Sequence, residues 1–429
     1  MPNSSSQEPS LSPSRQFLTM LALVMAGEAI FFLPFVIPRI FRPTVLDTFQ
    51  ITNLELGTAF SAYGVVAMIS YFFGGPLADR FSARVLLPGA LIATSLGGFF
   101  YATYPPLGLL TILYGYWGMT TILLFWAALM RATREWGGRL SQGQAFGWLD
   151  AGRGAMAAVV GSLGVILFAS LLPNEVNTAS LEQQQEGFRQ VILMMSSIVA
   201  GIGILTYFVL PTPWEVTAKR TSNLTFRGVL EVAKMPTVWL QALIIICAYV
   251  AYKGTDDLSL YGREVLMLDE VASAEIGTIS MWVRPFAALI AGFLADRFST
   301  SRMTMVSFGL ILIGSLILAS GVITPGTYVL FIGTLITAGL GIYAMRGLYY
   351  AIMQEGKVPL AFTGSAVGLV SVLGYTPDIF MGPLMGVLLD DNPGPAGHHY
   401  VFIVVGGFAL LGLVATVAFR VVNERITQQ

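Results

Sequence analysis

The sequence predicts an all-α polytopic membrane protein, with twelve transmembrane helices arranged in two six-helix bundles related by pseudo-two-fold symmetry. Composition is the first observation behind this prediction. Of the 429 residues, 55% are hydrophobic and 11% are charged, which is roughly half the charged fraction of a soluble domain. The second observation is a series of apolar runs that are long enough to cross a bilayer. The third is a short charged motif that occurs once in each half of the chain.

The apolar runs define the predicted elements in chain order. In the first half they predict spans 1 to 6 near 16–38, 52–78, 85–103, 108–131, 142–171 and 188–210. In the second half they predict spans 7 to 12 near 237–260, 273–295, 303–323, 327–353, 360–389 and 399–420.

The same spacing predicts the division into domains. We expect an N-terminal bundle over 16–210 and a C-terminal bundle over 237–421. The longest polar stretch lies between them and is predicted to be a cytoplasmic linker over 211–236. The segment 1–15 is rich in Ser and Pro and is predicted to be a disordered cytoplasmic tail, and 422–429 is predicted to be a second cytoplasmic tail.

Basic residues predict the orientation of the chain. The span ends that share a side with both termini carry fifteen Lys and Arg residues, and the opposite ends carry four. Cytoplasmic segments of membrane proteins are enriched in Lys and Arg. We therefore expect a multi-pass protein of the cell (inner, cytoplasmic) membrane with both termini in the cytoplasm.

The charged motif follows span 2 and returns after span 8. The string Leu-Ala-Asp-Arg-Phe-Ser begins at Leu77 and again at Leu294, an offset of 294 − 77 = 217 residues. This duplicated motif resembles the cytoplasmic loop motif of the major facilitator superfamily. The resemblance implies the major facilitator fold, a secondary transporter that works by alternating access, and a gating role for Gly75, Asp79, Arg80, Arg84, Asp296 and Arg297.

Several charged residues lie at membrane depth. Such charges are costly unless they are paired or face water, so they indicate a transport pathway. The cations are Arg153, Lys253, Arg284 and Arg346, and the carboxylates are Glu28, Asp150, Asp256, Asp257 and Asp378. They fall on spans 1, 5, 7, 8, 10 and 11. The resembled fold implies that spans 1, 4, 7 and 10 line the cavity, and that spans 3, 6, 9 and 12 stand outside it.

Each intramembrane cation also has a purely structural interpretation. Arg153 is spaced to pair with Asp150, and Lys253 is spaced to pair with Asp257. Arg284 precedes a proline and could donate to a carbonyl that the proline frees. Arg346 has no anion at helical spacing, which favours a functional role.

Two regions are similar to the organophosphate/phosphate antiporter branch, the sugar-phosphate permeases. The first is Pro359–Gly368 with Gly374-Tyr375, and the second is Tyr252-Lys253-Gly254, where that branch keeps a phosphate-binding arginine. The span 7 cation here is Lys, and two aspartates follow it, so the resemblance implies a small organic anion more than a phosphate ester specifically. The residues predicted to bind substrate, from the intramembrane charges and from this resemblance together, are Arg39, Tyr252, Lys253, Arg284 and Arg346.

The sequence thus predicts a secondary transporter that moves a small organic anion, such as a sugar phosphate, a sugar acid or a similar carboxylate. The coupling ion is expected to be H⁺ or a counter-transported anion, with Glu28 as the first candidate proton carrier and Asp378 as the second. We expect a monomer in a lipid bilayer. The alternatives are a proton-coupled exporter of hydrophobic or cationic compounds and a transporter-like ligand sensor.

The sequence offers no support for an enzyme, a cofactor, a metal site or a nucleic-acid partner. Its two histidines, His398 and His399, are adjacent and are predicted to lie in an outer loop. Metal-binding and phosphate-binding spacings do not occur.

Overall fold

A computed structural model describes residues 12–137, 142–173, 175–211, 226–348, 352–356 and 363–428. Within these ranges the chain is helical, and no β-strand is present. Most of the predicted linker over 211–236, the first eleven residues and the start of span 11 lie outside the described residues. The boundaries proposed for the linker therefore stay predictions.

The N-terminal half contains spans 1 to 6. Its helices are Pro13–Ala29, Phe32–Val36 (π-helical) and Ile37–Ile40 in span 1; the short helix Arg42–Phe49; Asn53–Arg80 in span 2; Ala83–Tyr101 in span 3; Leu107–Gly118, Met119–Trp126 (π-helical) and Ala127–Gly137 in span 4; Gln142–Leu171 in span 5; the 3₁₀ turn Val176–Thr178; and Leu181–Val209 in span 6.

The C-terminal half contains spans 7 to 12. Its helices are Phe226–Ala233 before the first span; Pro236–Gly254, Thr255–Asp257 (3₁₀) and Leu258–Glu264 in span 7; Glu270–Arg297 in span 8; Thr300–Ala319 in span 9; the 3₁₀ turn Pro325–Thr327; Tyr328–Leu348 in span 10; the short helix Ile352–Glu355; Thr363–Gly374 and Pro377–Asp391 in span 11; and Pro395–Gln428 in span 12.

Length and composition support the membrane assignment. Among the described residues, ten helices are long and apolar enough to cross a membrane, and the bent pair of span 1 makes an eleventh. Span 8 completes the set of twelve. It has 28 residues, the same length as span 2, and ends in the same Leu-Ala-Asp-Arg sequence. Span 8 is more charged because it carries Glu270, Glu275 and Arg284 as well as the motif.

Two ends differ from the prediction. Span 1 begins at Pro13, inside the predicted tail 1–15, and span 12 continues to Gln428 through most of the predicted tail 422–429. Proline is favourable in the first turn of a helix, where its missing N–H is not needed. The start of span 1 at a proline is therefore expected from local chemistry.

Besides span 4, which contains the π-helical segment Met119–Trp126, three spans are interrupted. Span 1 bends by 42° where its helix passes into a π-helical turn next to Pro34, since proline cannot donate the backbone hydrogen bond that continues an α-helix. Span 7 changes to a 3₁₀ turn over Thr255–Asp257, and span 11 is interrupted before Pro377. Irregular backbone at membrane depth is tolerated where it lines a cavity, and these breaks lie beside the charged residues.

Two faces of the molecule are distinguished below. The terminal face is the one at which span 1 begins and span 2 ends at Arg80; the orientation predicted above makes it cytoplasmic. The distal face is the opposite one, where Arg42–Phe49 connects span 1 to span 2.

The two bundles are packed together on the distal side. An added Cβ at Gly386 of span 11 would lie 2.6 Å from the Leu54 backbone nitrogen at the start of span 2. An added Cβ at Gly277 of span 8 would lie 2.7 Å from the Ile40 Cα of span 1. Small residues allow such close helix crossings in membranes, so glycines at these positions let spans 2 and 11, and spans 1 and 8, close the distal side.

Candidate substrate cavity

A cavity lies between the two bundles at the level of the helix breaks. It contains all seven residues that the sequence assigned to substrate binding and coupling. Its wall consists of Glu28, Phe31, Phe35, Val36, Arg39, Tyr63, Ala67, Tyr71, Ile122, Trp126, Arg153, Tyr249, Tyr252, Lys253, Arg284, Arg346, Tyr375 and Asp378. The fold therefore brings residues from spans 1, 2, 4, 5, 7, 8, 10 and 11 to one site.

The first charged group in this wall is the Glu28 cluster, formed by Glu28, Asp150, Arg153 and Arg284. Glu28 is buried and accepts hydrogen bonds from Arg153 Nε at 3.0 Å and from Arg284 Nη1 at 2.9 Å. Arg284 Nη2 also lies 3.2 Å from Asp150 Oδ1. Arg284 belongs to the C-terminal bundle and the other three to the N-terminal bundle, so this cluster joins the bundles.

The Glu28 cluster corrects two of the local interpretations. Arg153 bonds to Glu28 more closely than to Asp150, from which its Nη1 lies 3.9 Å away. Arg284 donates to carboxylates rather than to the carbonyl freed by Pro285. Glu28, which has no charged neighbour at helical spacing, gains two cationic partners from spans 5 and 8.

The second charged group is the Asp256 cluster, formed by Arg39, Lys253, Asp256 and Asp378. Arg39 Nε donates to Asp256 Oδ1 at 2.6 Å, and Lys253 Nζ lies 2.8 Å from Asp256 Oδ2. Lys253 Nζ is also 3.8 Å from Asp378 Oδ1, and the Tyr249 hydroxyl donates to Asp378 Oδ2 at 3.0 Å. Arg39 comes from span 1, so this cluster also joins the two bundles.

Aromatic rings contact Arg346 and the two cations of the Asp256 cluster. The Tyr252 ring has the Arg39 guanidinium 4.4 Å and the Arg346 guanidinium 4.2 Å from its centroid, and Arg39 Nη1 donates to the Tyr252 hydroxyl at 2.7 Å. Lys253 Nζ is 4.9 Å from the rings of Phe35 and Phe60. Rings at these distances stabilise cations through their quadrupole.

The structure contradicts the predicted pairing of Lys253 with Asp257. Lys253 pairs with Asp256, three residues on, because the segment Thr255–Asp257 is a 3₁₀ turn. In a 3₁₀ helix the side chains at positions i and i+3 lie on the same face. Asp257 instead bonds to His398, and His398 is fully buried rather than part of an outer loop.

Charged side chains of both signs surround the cavity. Among the described residues, five cations line it, and four carboxylates line it or pair with its cations. Within each of the two clusters, two cations are balanced by two carboxylates. The cavity therefore presents cations from both bundles to a molecule that lies between them.

The predicted gating residues lie outside the cavity. Asp79 is 79% exposed, and one of its oxygens is 4.0 Å from Arg131 Nη1 of the same bundle. Arg84 Nε donates to the Tyr207 carbonyl at 2.9 Å, and the Arg80 guanidinium lies 5.8 Å from the Phe81 ring centroid. A side chain at Gly75 would meet open space. Arg297 is exposed, and the Asp296 side chain and the segment 357–362 before span 11 lie outside the described residues. The gating role of the motif stays a prediction.

The sequence reasoning missed the central position of Asp256, which holds two cations at once. The spacing from Lys253 was available as a signal, but its use required knowledge of the 3₁₀ turn. It also missed Phe35, Trp126 and Tyr375, whose rings are part of the cavity wall. Aromatic residues are common throughout the chain, so no local signal separates these rings from those that face lipid.

Comparison with known proteins gives the family of the chain. The family model of the Major Facilitator Superfamily matches residues 17–380. The chain is 26% identical over 412 residues to the inner membrane protein YqcE of Escherichia coli (strain K12), covering 94% of both chains. It is 24% identical over 368 residues to the probable nitrate/nitrite antiporter NarK1 of Thermus thermophilus, covering 80% of this chain and 79% of that one.

A solved structure supports the same fold. A bacterial homologue of the human lysosomal transporter Spinster, in an inward-facing and occupied conformation, superimposes with a TM-score of 0.70 at 15% identity. The match covers 96% of this chain and 98% of that chain. With the family match, the twelve helices and the cavity between the bundles, the chain belongs to the Major Facilitator Superfamily, as a multi-pass membrane transporter.

Proposed function

We propose that this transporter moves a small organic anion across the cell membrane by alternating access, with both termini in the cytoplasm. The observation that carries the proposal is the set of five cations in the cavity wall, two from the N-terminal bundle and three from the C-terminal bundle. A substrate anion held between them would touch both bundles. Binding would then favour movement of one bundle against the other around a fixed site.

Two interbundle ion pairs support a role for the substrate charge in this movement. Arg39–Asp256 and Arg284–Glu28 join the bundles in the distal-closed structure. Distal opening would separate Arg39 from Asp256 and leave a buried guanidinium with fewer anionic partners. A substrate carboxylate or phosphate can replace the lost partner, since Arg binds both through paired N–H groups.

The walls of the cavity favour an organic anion over a small inorganic one. A wall with eight aromatic side chains fits a molecule with an apolar or ring-shaped body and a few polar groups. The name of the relative NarK1 refers to nitrate and nitrite, which supports an anionic substrate in general. A sugar phosphate, a sugar acid or a similar carboxylate is the substrate class that we propose.

The two candidate proton carriers, Glu28 and Asp378, differ in their hydrogen-bond partners. Glu28 accepts hydrogen bonds from two guanidinium groups, and a proton on Glu28 would disrupt both charge-assisted contacts. Asp378 has one neutral donor, Tyr249, and an ammonium at 3.8 Å. We therefore propose Asp378 ahead of Glu28 as the site of proton coupling, which reverses the order expected from the sequence.

The experiment that tests the proposal is counterflow into proteoliposomes. The probes are a hexose phosphate, a sugar acid and a dicarboxylate, with an uncharged hexose of equal size as the control for charge. Uptake of at least one anion, against preloaded unlabelled anion and without uptake of the neutral sugar, is the expected result. Uptake of a lipophilic cation instead would contradict the proposal and favour a proton-coupled exporter. Saturable binding of an anion without flux would favour a transporter-like ligand sensor.

A further inference from the structure

His398 lies between two carboxylates at the distal end of the C-terminal bundle. Its Nδ1 is 2.7 Å from Asp257 Oδ2, and its Nε2 is 3.1 Å from Glu264 Oε2. The side chains of His398 and Asp257 are fully buried. None of these three residues lines the substrate cavity.

The hydrogen bonds require a proton in this cluster. A neutral imidazole has one N–H donor and one acceptor nitrogen, and an ionised carboxylate can only accept. Both contacts are made only if both ring nitrogens carry hydrogen, or if one carboxylate does. In either case, the cluster holds one proton more than a neutral histidine beside two carboxylates.

Among the described residues, few other titratable groups contact the ring. The Tyr261 ring centroid lies 5.2 Å away in an edge arrangement, and the Tyr261 hydroxyl donates to the Leu318 carbonyl at 3.3 Å. His399 follows in the sequence, and a Cβ added at Gly321 would lie 3.4 Å from the His399 ring. Asp257 and Glu264 are therefore the groups that face the two nitrogens.

The cluster has access to one side of the membrane. Glu264 ends span 7 at the distal face, and its side chain is 33% exposed. A proton can reach His398 through Glu264 from the distal compartment, and neither His398 nor Asp257 lines the cavity.

The cluster is also next to the interbundle ion pair between Arg39 and Asp256. Asp256 and Asp257 are consecutive residues of the 3₁₀ turn in span 7. Asp256 binds Arg39 of the other bundle, and Asp257 binds His398. We propose that His398, Asp257 and Glu264 form a proton-binding site that exchanges with the distal compartment and holds this turn in its distal-closed geometry.

Loss of the proton has a defined consequence. A neutral ring has one N–H and can serve only one carboxylate, so the other carboxylate would face a nitrogen lone pair. That repulsion would displace Asp257 or Glu264 and loosen the turn that positions Asp256. Because this site is separate from the cavity wall, the inference does not depend on the class of substrate.

The proton itself can be observed by nuclear magnetic resonance. The chain has two histidines, so the His399→Gln protein with ¹⁵N-labelled histidine has one ring to observe. We expect both ring nitrogens to be protonated at pH 7.5, where an exposed imidazole with a pKa of about 6.5 is about 90% neutral. Adding Glu264→Gln or Asp257→Asn should make the ring neutral at that pH. A ring in the His399→Gln protein that titrates like exposed histidine would overturn the proposal.

The link between this proton-binding site and closure of the distal face is tested by spin labels on the distal ends of the two bundles. Leu181→Cys and Val329→Cys suit this purpose because they are 41% and 84% exposed, whereas Cys247 is buried. In the otherwise wild-type protein, a population with a longer distance between the two labels should appear as the pH rises above the range where the cluster keeps its proton. His398→Gln should show that longer distance at neutral pH, at least twofold more populated, with His399→Gln as the matched control. Equal distances in His398→Gln and the wild type at every pH would overturn the link.

Discussion

Arg39 Nε of span 1 lies 2.6 Å from Asp256 Oδ1 of span 7, and both side chains are only 5% exposed. The two residues are 217 positions apart and belong to different bundles. Their contact lies next to the bend in span 1 and inside the 3₁₀ turn of span 7. It therefore ties together the irregular segments of the two bundles in the distal-closed structure.

The first prediction concerns this ion pair. Removal of one partner leaves a buried charge with poorer compensation, which destabilises proteins by about 3–5 kcal/mol. We expect Arg39→Ala to lower the thermal unfolding temperature of the purified protein and to promote distal opening. The double variant Arg39→Ala/Asp256→Ala should recover part of the loss, although Lys253 then lacks its closest partner. A double variant as unstable as the sum of the two single variants would show that the pair is not coupled.

The second prediction concerns substrate affinity. Hydrogen bonds to charged groups contribute about 1.5–3 kcal/mol, so Lys253→Ala and Arg346→Ala should each weaken binding of the transported anion roughly ten- to a hundredfold. Arg346→Lys should restore only part of the affinity, because lysine lacks the planar guanidinium fork. Calorimetric titration with the anion found by counterflow is the measurement. Arg189→Ala is the control, since Arg189 lies outside the cavity and pairs locally with Glu186.

Lys253 also requires a stability control, because it is part of an ion-pair network. If Lys253→Ala unfolds at a lower temperature, Lys253→Ala/Asp256→Ala should recover only part of the stability, because Asp256 is the closest carboxylate to Lys253 but also pairs with Arg39. Unchanged anion affinity in both Lys253→Ala and Arg346→Ala would contradict the anion proposal and favour the exporter.

The third prediction separates the two coupling carboxylates. Asp378→Asn should abolish uptake driven by a proton gradient and leave exchange of unlabelled for labelled substrate intact. Glu28→Gln should instead impair both processes, because it breaks the contacts with Arg153 and Arg284. Proteoliposome uptake with and without an imposed gradient measures the difference. If gradient-driven uptake survives in Asp378→Asn, either Glu28 is the better candidate for the proton carrier or transport is pure anion exchange.

The sequence predicted the spans well because the bilayer imposes their length and apolar character. It also identified charged residues that line the cavity, since a charge at membrane depth is rare unless it faces the pathway. It could not predict their partners. Glu28 and Arg284 are 256 positions apart, and their contact depends on how spans 1 and 8 cross.

Local structure also limited the prediction at Lys253 and His398. An α-helix favours both i+3 and i+4 partners, and the change to a 3₁₀ turn decided between Asp256 and Asp257. The predicted span 12 began at residue 399, whereas its helix begins at Pro395. Those four residues move His398 from a loop into the packed end of the bundle, where its two carboxylate partners lie.

The fourth prediction concerns orientation. A cysteine at Ser222, in the predicted linker, should be protected from membrane-impermeant thiol reagents in intact cells. A cysteine at Asn177, between spans 5 and 6, should react. The native Cys247 is buried and should contribute little background labelling. Reaction at Ser222 in sealed cells, with protection at Asn177, would reverse the assignment of the terminal face to the cytoplasm.

The last prediction concerns a contact that closes the distal face. Asp390 at the end of span 11 accepts hydrogen bonds from the backbone N–H groups of Asn53 at 3.1 Å and Leu54 at 2.8 Å, at the start of span 2. These N–H groups have no partner within their own helix, and an anion there is stabilised by the helix dipole by about 0.3–2 kcal/mol. Asp390 should therefore favour the distal-closed state.

Asp390→Asn keeps the size of the side chain and removes its charge, so we expect a larger distal-open population with little change in the unfolding temperature. The spin labels at Leu181→Cys and Val329→Cys report that population directly. Asp391→Asn is the matched control. The neighbouring Asp391 side chain is exposed, and this substitution removes the same charge from the same face. If both variants shift the distance equally, general surface charge controls the gate. A shift confined to Asp390→Asn assigns the effect to its contact with span 2.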